Sequence, residues 1–164
     1  MFKDKTVIDL GAGLGHYGKI FMEEHSPVIS WVGFDGAMNV QNATDGLVRY
    51  MDLTQPHAAD ERPCIKGDWV LSLEVAEHIP PQFTDSYIRN IRCSCRIGAV
   101  VSWARPSQTG GLGHVNTKHQ KDAIEAMARW GFYVDEEATK AAQEAASMGH
   151  FKANTIVYKV KVDK

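Results

Sequence analysis

The chain has 164 residues, of which 44% are hydrophobic and 23% charged, enough apolar material for one domain with a sizeable core, expected to span residues 1–164. Its 18 Lys and Arg stand against 20 Asp and Glu, a formal net charge of -2, which excludes a general basic surface as the main source of affinity, so no nucleic-acid partner is expected. The apolar content excludes disorder, and 14 Gly with 6 Pro exclude a collagen-like or low-complexity chain.

Short β-branched runs alternate with helical periodicities. Thr6-Val7-Ile8-Asp9-Leu10 reads as a buried strand ended by glycines, and Tyr17, Ile20 and Phe21 then recur at the spacing of a helix face packed on a sheet. A second strand spans Ile29 to Phe34 and is closed by Asp35-Gly36. A weakly amphipathic stretch, Ala37 to Ala43, leads to a third strand, Leu47 to Met51. After a polar loop containing proline, Trp69-Val70-Leu71-Ser72-Leu73 forms a fourth. Pro80-Pro81 suits the start of a helix whose apolar stripe is Phe83, Tyr87, Ile88 and Ile91. Ala99 to Trp103 is the fifth strand. Thr117-Lys118-His119-Gln120 has the pattern of a capping box, followed by Ile124, Met127 and Ala128, with Gly131 as the stop. Phe132-Tyr133-Val134 is a sixth strand, Ala138 to Ser147 an alanine-rich helix, and Thr155 to Val160 the last strand.

This alternation implies βαβ units, hence an α/β fold with a mostly parallel sheet and helices on both faces. The rhythm breaks near the final strands, which predicts one antiparallel strand there. Ligands of such sheets bind outside the carboxyl ends of the strands, so the residues leaving strands one to five carry the most weight.

The three cysteines, Cys64, Cys93 and Cys95, are odd in number and poorly spaced for a disulfide framework, and read as small apolar fillers in a reducing compartment. Cys93-Ser94-Cys95 lacks the two-residue gap of a zinc knuckle, and no metal is assigned. No apolar run approaches the ~20 residues of a membrane span. Met1-Phe2-Lys3-Asp4-Lys5 moves straight into a strand without a cleavable signal. A cytoplasmic protein with no membrane partner is the expectation.

Asp9-Leu10-Gly11-Ala12-Gly13-Leu14-Gly15 leaves the first strand and enters a helix. Glycines let the backbone turn tightly and approach a ligand, and the helix N-terminus offers N–H groups to an anionic end. Gly13-Leu14-Gly15-His16-Tyr17-Gly18 also satisfies G-x-G-x-x-G, so the loop alone does not choose between a dinucleotide and another nucleoside. Asp35 leaves strand two about twenty residues on, where an acid can accept from ribose hydroxyls or simply cap the next helix. Asp52 leaves strand three, suited to an adenine amino group or to forming a turn. Acids at successive strand exits suit a nucleoside without a bulky polyanion.

Val7 to Gly15, Gly33-Phe34-Asp35-Gly36, Met51-Asp52-Leu53 and Leu71-Ser72-Leu73-Glu74-Val75-Ala76-Glu77-His78-Ile79-Pro80 resemble the successive motifs of class I S-adenosylmethionine-dependent methyltransferases, of the type 11/23 kind, over nearly the whole chain. The resemblance implies a three-layer αβα, Rossmann-like, seven-stranded sheet with its last strand antiparallel, and S-adenosyl-L-methionine as cofactor. Carried over residue by residue, it implies that Asp9, Gly11, Ala12, Gly13 and Gly15 wrap the methionine part and that Asp35 with Gly36 holds the ribose. Asp52 and Leu53 would flank the adenine, with Glu74 and Val75 lining the pocket beneath it. Family members usually carry one or two helices before strand one that cover the cofactor. Here five residues precede it, so an exposed cofactor, a homodimer or other partner, or a larger parent chain is expected.

Methyl transfer to a hydroxyl needs alignment and a proton acceptor, which histidine can supply. His78 follows strand four in Glu77-His78; His114 lies in Gly110-Gly111-Leu112-Gly113-His114-Val115-Asn116, a loop whose glycines permit a mobile lid. Each has a plain alternative, as a backbone-bonded helix-entry residue or a surface loop residue. Arg105, on the same rim, could hold an anionic or hydroxylated substrate. The segments Gly110 to Asn116 and Phe151 to Asn154, the latter read as the entry to the last strand, are similar to methyltransferases found with glycan-building enzymes, which suggests a saccharide or small-molecule hydroxyl as acceptor. Two readings of other classes are a non-catalytic partner that kept the fold and a nicotinamide-dependent reductase; the latter lacks chain for a substrate domain.

Overall fold

The computed structural model describes residues 1–55, 64–108 and 111–161. Seven strands, β1 (Thr6–Leu10), β2 (Ser30–Asp35), β3 (Val48–Tyr50), β4 (Gly67–Ser72), β5 (Cys95–Ser102), β6 (Phe132–Val134) and β7 (Thr155–Val160), form one sheet in the order β3-β2-β1-β4-β5-β7-β6. β1 to β5 run parallel, and β7 runs antiparallel to both β5 and β6. The connections that cross the sheet carry α1 (His16–Phe21), α2 (Val40–Ala43), α3 (Thr84–Ser94), α4 (Gln120–Ala128), α5 (Glu136–Ala145) and α6 (Gly149–Asn154). This is the three-layer, Rossmann-like arrangement that the strand pattern implies.

Both faces of the sheet are covered, so its central strands are apolar on alternate residues in both directions. Ile8, Leu10 and Val70 face one core with Tyr87, Ile88 and Ile91 of α3 and Ala123 and Met127 of α4. Val7, Trp69, Leu71 and Val157 face the other, against Phe21, Val40, Ala138 and Ala142. Among the described residues no helix is long and apolar enough to cross a membrane.

Four local expectations give way. In α1 the residue turned to the sheet is Gly18; Tyr17 and Ile20 are exposed. The Trp31 indole lies where a Cβ on Gly18 or Gly33 would be, so the bulk at that interface comes from the strand and the helix supplies a hole. The capping box before α4 does not form. His119 stands at the N-cap in extended conformation with no side-chain bond to the helix, and Lys118 N donates to Ala104 O at 3.0 Å, which ties the approach to the segment just after β5. The alanine-rich helix starts earlier, where the Asp135 carboxylate accepts from Ala138 N at 3.0 Å, and a separate helix, α6, fills the segment read as a strand entry.

The cysteine expectation is also corrected. Cys64 and Cys93 form a disulfide with Cα atoms 5.8 Å apart, and Cys95 alone is free and buried. The parallel register places Gly67 opposite Cys95, which brings the chain just before β4 beside the last turn of α3. A 29-residue separation conceals that neighbourhood.

Candidate functional site

The carboxyl ends of β1, β2 and β4, with the residues just after β3, open on one cleft of about 500 Å³, lined by Gly11, Gly13, Asp35, Gly36, Asp52, Leu53, Thr54, Glu74, Val75, His78 and Ile79. Eight of the eleven residues assigned to cofactor binding from sequence are in that lining. Asp9, Ala12 and Gly15 are not.

The glycine loop is fixed by backbone bonds. The amides of Gly11 and Ala12 donate to Phe34 O at 2.8 and 2.9 Å, which ties the end of β1 to the end of β2. Gly11 has φ +86°, and a Cβ there would run into the Val75 side chain; glycine is required both by the turn and by the approach. Gly15, φ +73°, opens α1 and is packed on Leu47 and Val48.

Asp35 and Asp52 hold backbone amides, and Glu74 holds a hydroxyl. Asp35 accepts from Gly13 N with Oδ2 and from Ala37 N with Oδ1, both at 2.9 Å. The carboxylate thus shapes the glycine loop and closes its own turn, and each oxygen keeps a further lone pair toward the cleft. Asp52 Oδ1 accepts from Thr54 N at 2.9 Å and Thr54 Oγ1 at 2.7 Å, an Asx-turn that leaves Oδ2 uncommitted. Glu74 sits at φ +55°, a left-handed conformation uncommon for a non-glycine residue. It is held there by Ser102, whose Oγ accepts from Glu74 N and donates to Glu74 Oε1, each at 2.7 Å.

Asp9 lies beneath this floor, 3% exposed. Its Oδ2 accepts from Trp31 Nε1 at 3.2 Å. Burial raises its pKa to about 7, the Trp31 bond opposes the shift, and the charge of Asp35 adds to it. Tyr17, near Asp9 and Glu74, is likewise shifted up, chiefly by burial.

At the other end of the cleft a 3-10 turn, Ala76–His78, follows β4. The amides of Val115 and Asn116 both donate to Glu77 O at 2.9 Å, and Asn116 Nδ2 donates to Thr84 Oγ1 at 3.0 Å. The loop after β5 is thereby stapled onto the turn after β4, and the two histidines meet with ring centroids 5.0 Å apart. His78 is exposed and lines the cleft; His114 is half-buried behind it. Glu77, which no sequence signal singled out beyond its place in the Glu-Val-Ala-Glu-His-Ile motif, is fully buried, and neither of its carboxyl oxygens has a hydrogen-bond partner. Burial lifts its pKa to about 7, with the amides nearby and His114 pulling the other way and Glu74 adding to the rise. His114 Nε2 stands 4.0 Å from Glu77 Oε1.

Arg105 does not serve the rim. Its guanidinium donates to Ala153 O and to Gln120 Oε1, the latter at 3.3 Å, and so anchors α6 and α4 rather than facing the cleft.

No family model and no curated protein matches the chain. Solved structures do. A SAM-dependent methyltransferase from Archaeoglobus fulgidus superposes with TM-score 0.64 at 16% identity, over 98% of this chain and 88% of that one. The magnesium protoporphyrin IX methyltransferase of Synechocystis PCC 6803, with S-adenosylhomocysteine bound, gives 0.61 at 16% identity, over 98% and 76%. A chain of the complex between the Haloferax volcanii Trm112 methyltransferase activator and a candidate methyltransferase gives 0.64 at 13% identity, over 96% and 83%. At these identities the likeness establishes the fold, which is that of the S-adenosylmethionine-dependent methyltransferases.

Proposed function

We propose that this chain is an S-adenosylmethionine-dependent methyltransferase whose acceptor is the hydroxyl of a sugar or other small molecule. One observation carries the reading: a glycine loop and the acids Asp35, Asp52 and Glu74, drawn from four neighbouring strand ends, converge on a single cleft. The cleft falls within the roughly 300–1,000 Å³ range of small-molecule sites. The lone pairs left on Asp35 and the uncommitted Oδ2 of Asp52 are acceptors for ribose hydroxyls and an exocyclic amine, and Leu53 and Val75 give the apolar walls a planar base requires. The residues present fit the group.

The cofactor, when bound, supplies a methyl on a sulfonium. The chain's own residues do the rest. Gly11 and Gly13 let the backbone pass close to the ligand, Asp35 and Gly36 hold the ribose, and Asp52 and Leu53 hold the base. Ala12 and Gly15 fix the loop through Ala12 N on Phe34 O and Gly15 N on Ala12 O, and Asp9 holds the Trp31 indole beneath it. His78, in the cleft lining, would meet the acceptor hydroxyl, with His114 edge-on behind it. His114 Nδ1 is 2.7 Å from Gln108 O and His78 Nδ1 is 3.1 Å from Gly113 O. A carbonyl only accepts, so each Nδ1 donates, and in the neutral imidazole Nε2 is the proton-accepting atom. A homodimer, another partner or a longer parent chain would complete the cover over the cleft.

Calorimetry with S-adenosylhomocysteine tests the reading. One equivalent should bind, and Asp35→Ala should weaken it at least about tenfold by removing charged hydrogen bonds of roughly 1.5–3 kcal/mol. Folded protein with no heat of binding at high micromolar ligand, alongside a positive NADH titration, would overturn it in favour of a nicotinamide enzyme.

A further inference from the structure

The Glu77 carboxylate and one ring nitrogen each of His78 and His114 lie within 4.8 Å of one another. Three features distinguish this cluster from a chance meeting of polar side chains. Glu77 is fully buried, yet both of its oxygens lack a hydrogen-bond partner, and buried acceptors in folded proteins are otherwise almost always satisfied. Both histidines donate Nδ1–H to a backbone carbonyl, Gln108 O for His114 and Gly113 O for His78, the outer contact that fixes a ligating imidazole in orientation and tautomer. The segments bearing them are bolted together by the Val115 and Asn116 amides on Glu77 O and by Trp103 Nε1 on Asn116 O at 2.6 Å.

The geometry points to a divalent transition-metal site formed by the Glu77 carboxylate and the Nε2 atoms of His78 and His114. Two imidazoles and one carboxylate suit Zn, Mn, Fe or Co better than magnesium or calcium, which prefer oxygen ligands alone. Ligand bonds of about 2.0–2.2 Å place neighbouring donor atoms roughly 3–3.5 Å apart. The His114 Nε2 to Glu77 Oε1 distance of 4.0 Å therefore closes by less than about 1 Å, and with all three donor atoms already within 4.8 Å of one another His78 needs a comparably small shift. Three protein ligands leave coordination positions open toward the cleft, as in catalytic rather than structural sites.

The role of such an ion rests on the methyltransferase reading. It would hold the acceptor oxygen at the mouth of the cleft and lower the proton affinity of the hydroxyl, whose proton passes to solvent. Ligation occupies both Nε2 lone pairs, so the two histidines would act through the ion and not as free bases.

The test is metal binding to the whole chain after chelator treatment, read by calorimetry with Zn²⁺ and by the visible absorption of added Co²⁺. One ion per chain is expected, with affinity lowered at least about tenfold in each of His78→Ala, His114→Ala and Glu77→Gln, and unchanged in His25→Ala. Circular dichroism checks folding; should Glu77→Gln fail to fold, the two histidine variants decide. No saturable binding by folded wild-type protein, or binding by both histidine variants equal to wild type, overturns the site. Titrating the same metal-free protein with S-adenosylhomocysteine separates the two claims. Cofactor binding without ion binding removes the metal site and keeps the methyltransferase; ion binding without cofactor binding does the reverse.

Discussion

Asp9→Asn isolates the cost of keeping a carboxyl under the cleft floor. Asp9 rises from 3.8 to about 7 on folding, chiefly because burial penalises its charge. Between pH 4 and 7 the folded chain thus holds a proton that the unfolded chain has released, and stability falls as pH rises through that window. Three pKa units at 1.36 kcal/mol each amount to about 4 kcal/mol, an upper bound because water and small shifts relieve part of the cost. Asparagine keeps an oxygen for the Trp31 Nε1 bond, 3.2 Å in the parent, and cannot ionise. The amide it introduces adds an offset that does not depend on pH. The variant should therefore gain on wild type steadily from pH 4.5 to pH 7.5 and hold its advantage above. Urea unfolding of both proteins across that range, at constant ionic strength, measures the difference directly. A difference that stays flat with pH refutes the buried, proton-holding Asp9, whatever its sign.

Gly11→Ala should cost about 1–3 kcal/mol of stability through its positive φ and the collision with Val75, and weaken S-adenosylhomocysteine binding; the double variant with Val75→Ala should recover part of both, read by urea unfolding and calorimetry. Ile91→Ala, which truncates a fully buried side chain of α3, should cost roughly 2–5 kcal/mol without altering the cleft, so unfolding midpoints should fall while ligand affinity holds. Reducing the Cys64–Cys93 link, which closes a separation of 29 residues, should lower stability by about 3–4 kcal/mol on loop entropy. Matched melts with and without reductant report it, and identical melts would show that the two thiols are not joined.

Strand positions were legible because a two-sided parallel sheet demands runs such as Thr6 to Leu10 and Thr155 to Val160, and the observed β1, β6 and β7 have the bounds the pattern gives. The site acids were legible as positions for the same reason: they sit where those runs end. What local sequence could not carry was contact between distant segments. Gly18 becomes the packed residue of α1 only because Trp31 arrives from β2, and Cys64 meets Cys93 only through the β4–β5 register. Glu77 is the clearest case. Nothing local in the sequence marks it as buried, and the loop that pins its main-chain carbonyl, at Val115 and Asn116, lies nearly forty residues on.

For Asp35 and Asp52, sequence reasoning set a ligand role against a turn role, and the structure shows these roles need not compete. A carboxylate has about four lone-pair sites. Asp35 spends two on Gly13 N and Ala37 N, and Asp52 spends one oxygen on Thr54. Those bonds fix the side chains in the orientation a ligand would meet, so little conformational entropy remains to be lost on binding. Neutral turn-formers such as asparagine could close the same turns. A carboxylate adds acceptors without adding donors, which is what a ring of hydroxyls and an amine, all donors, requires. The three acids also crowd negative charge around one cleft, and Asp35 adds a smaller push to the rise that burial imposes on Asp9. A cationic ligand, such as one bearing a sulfonium and an ammonium, would relieve that charge, whereas a pyrophosphate would add to it. On charge alone, the cleft discriminates against the dinucleotides that its glycine loop could otherwise admit.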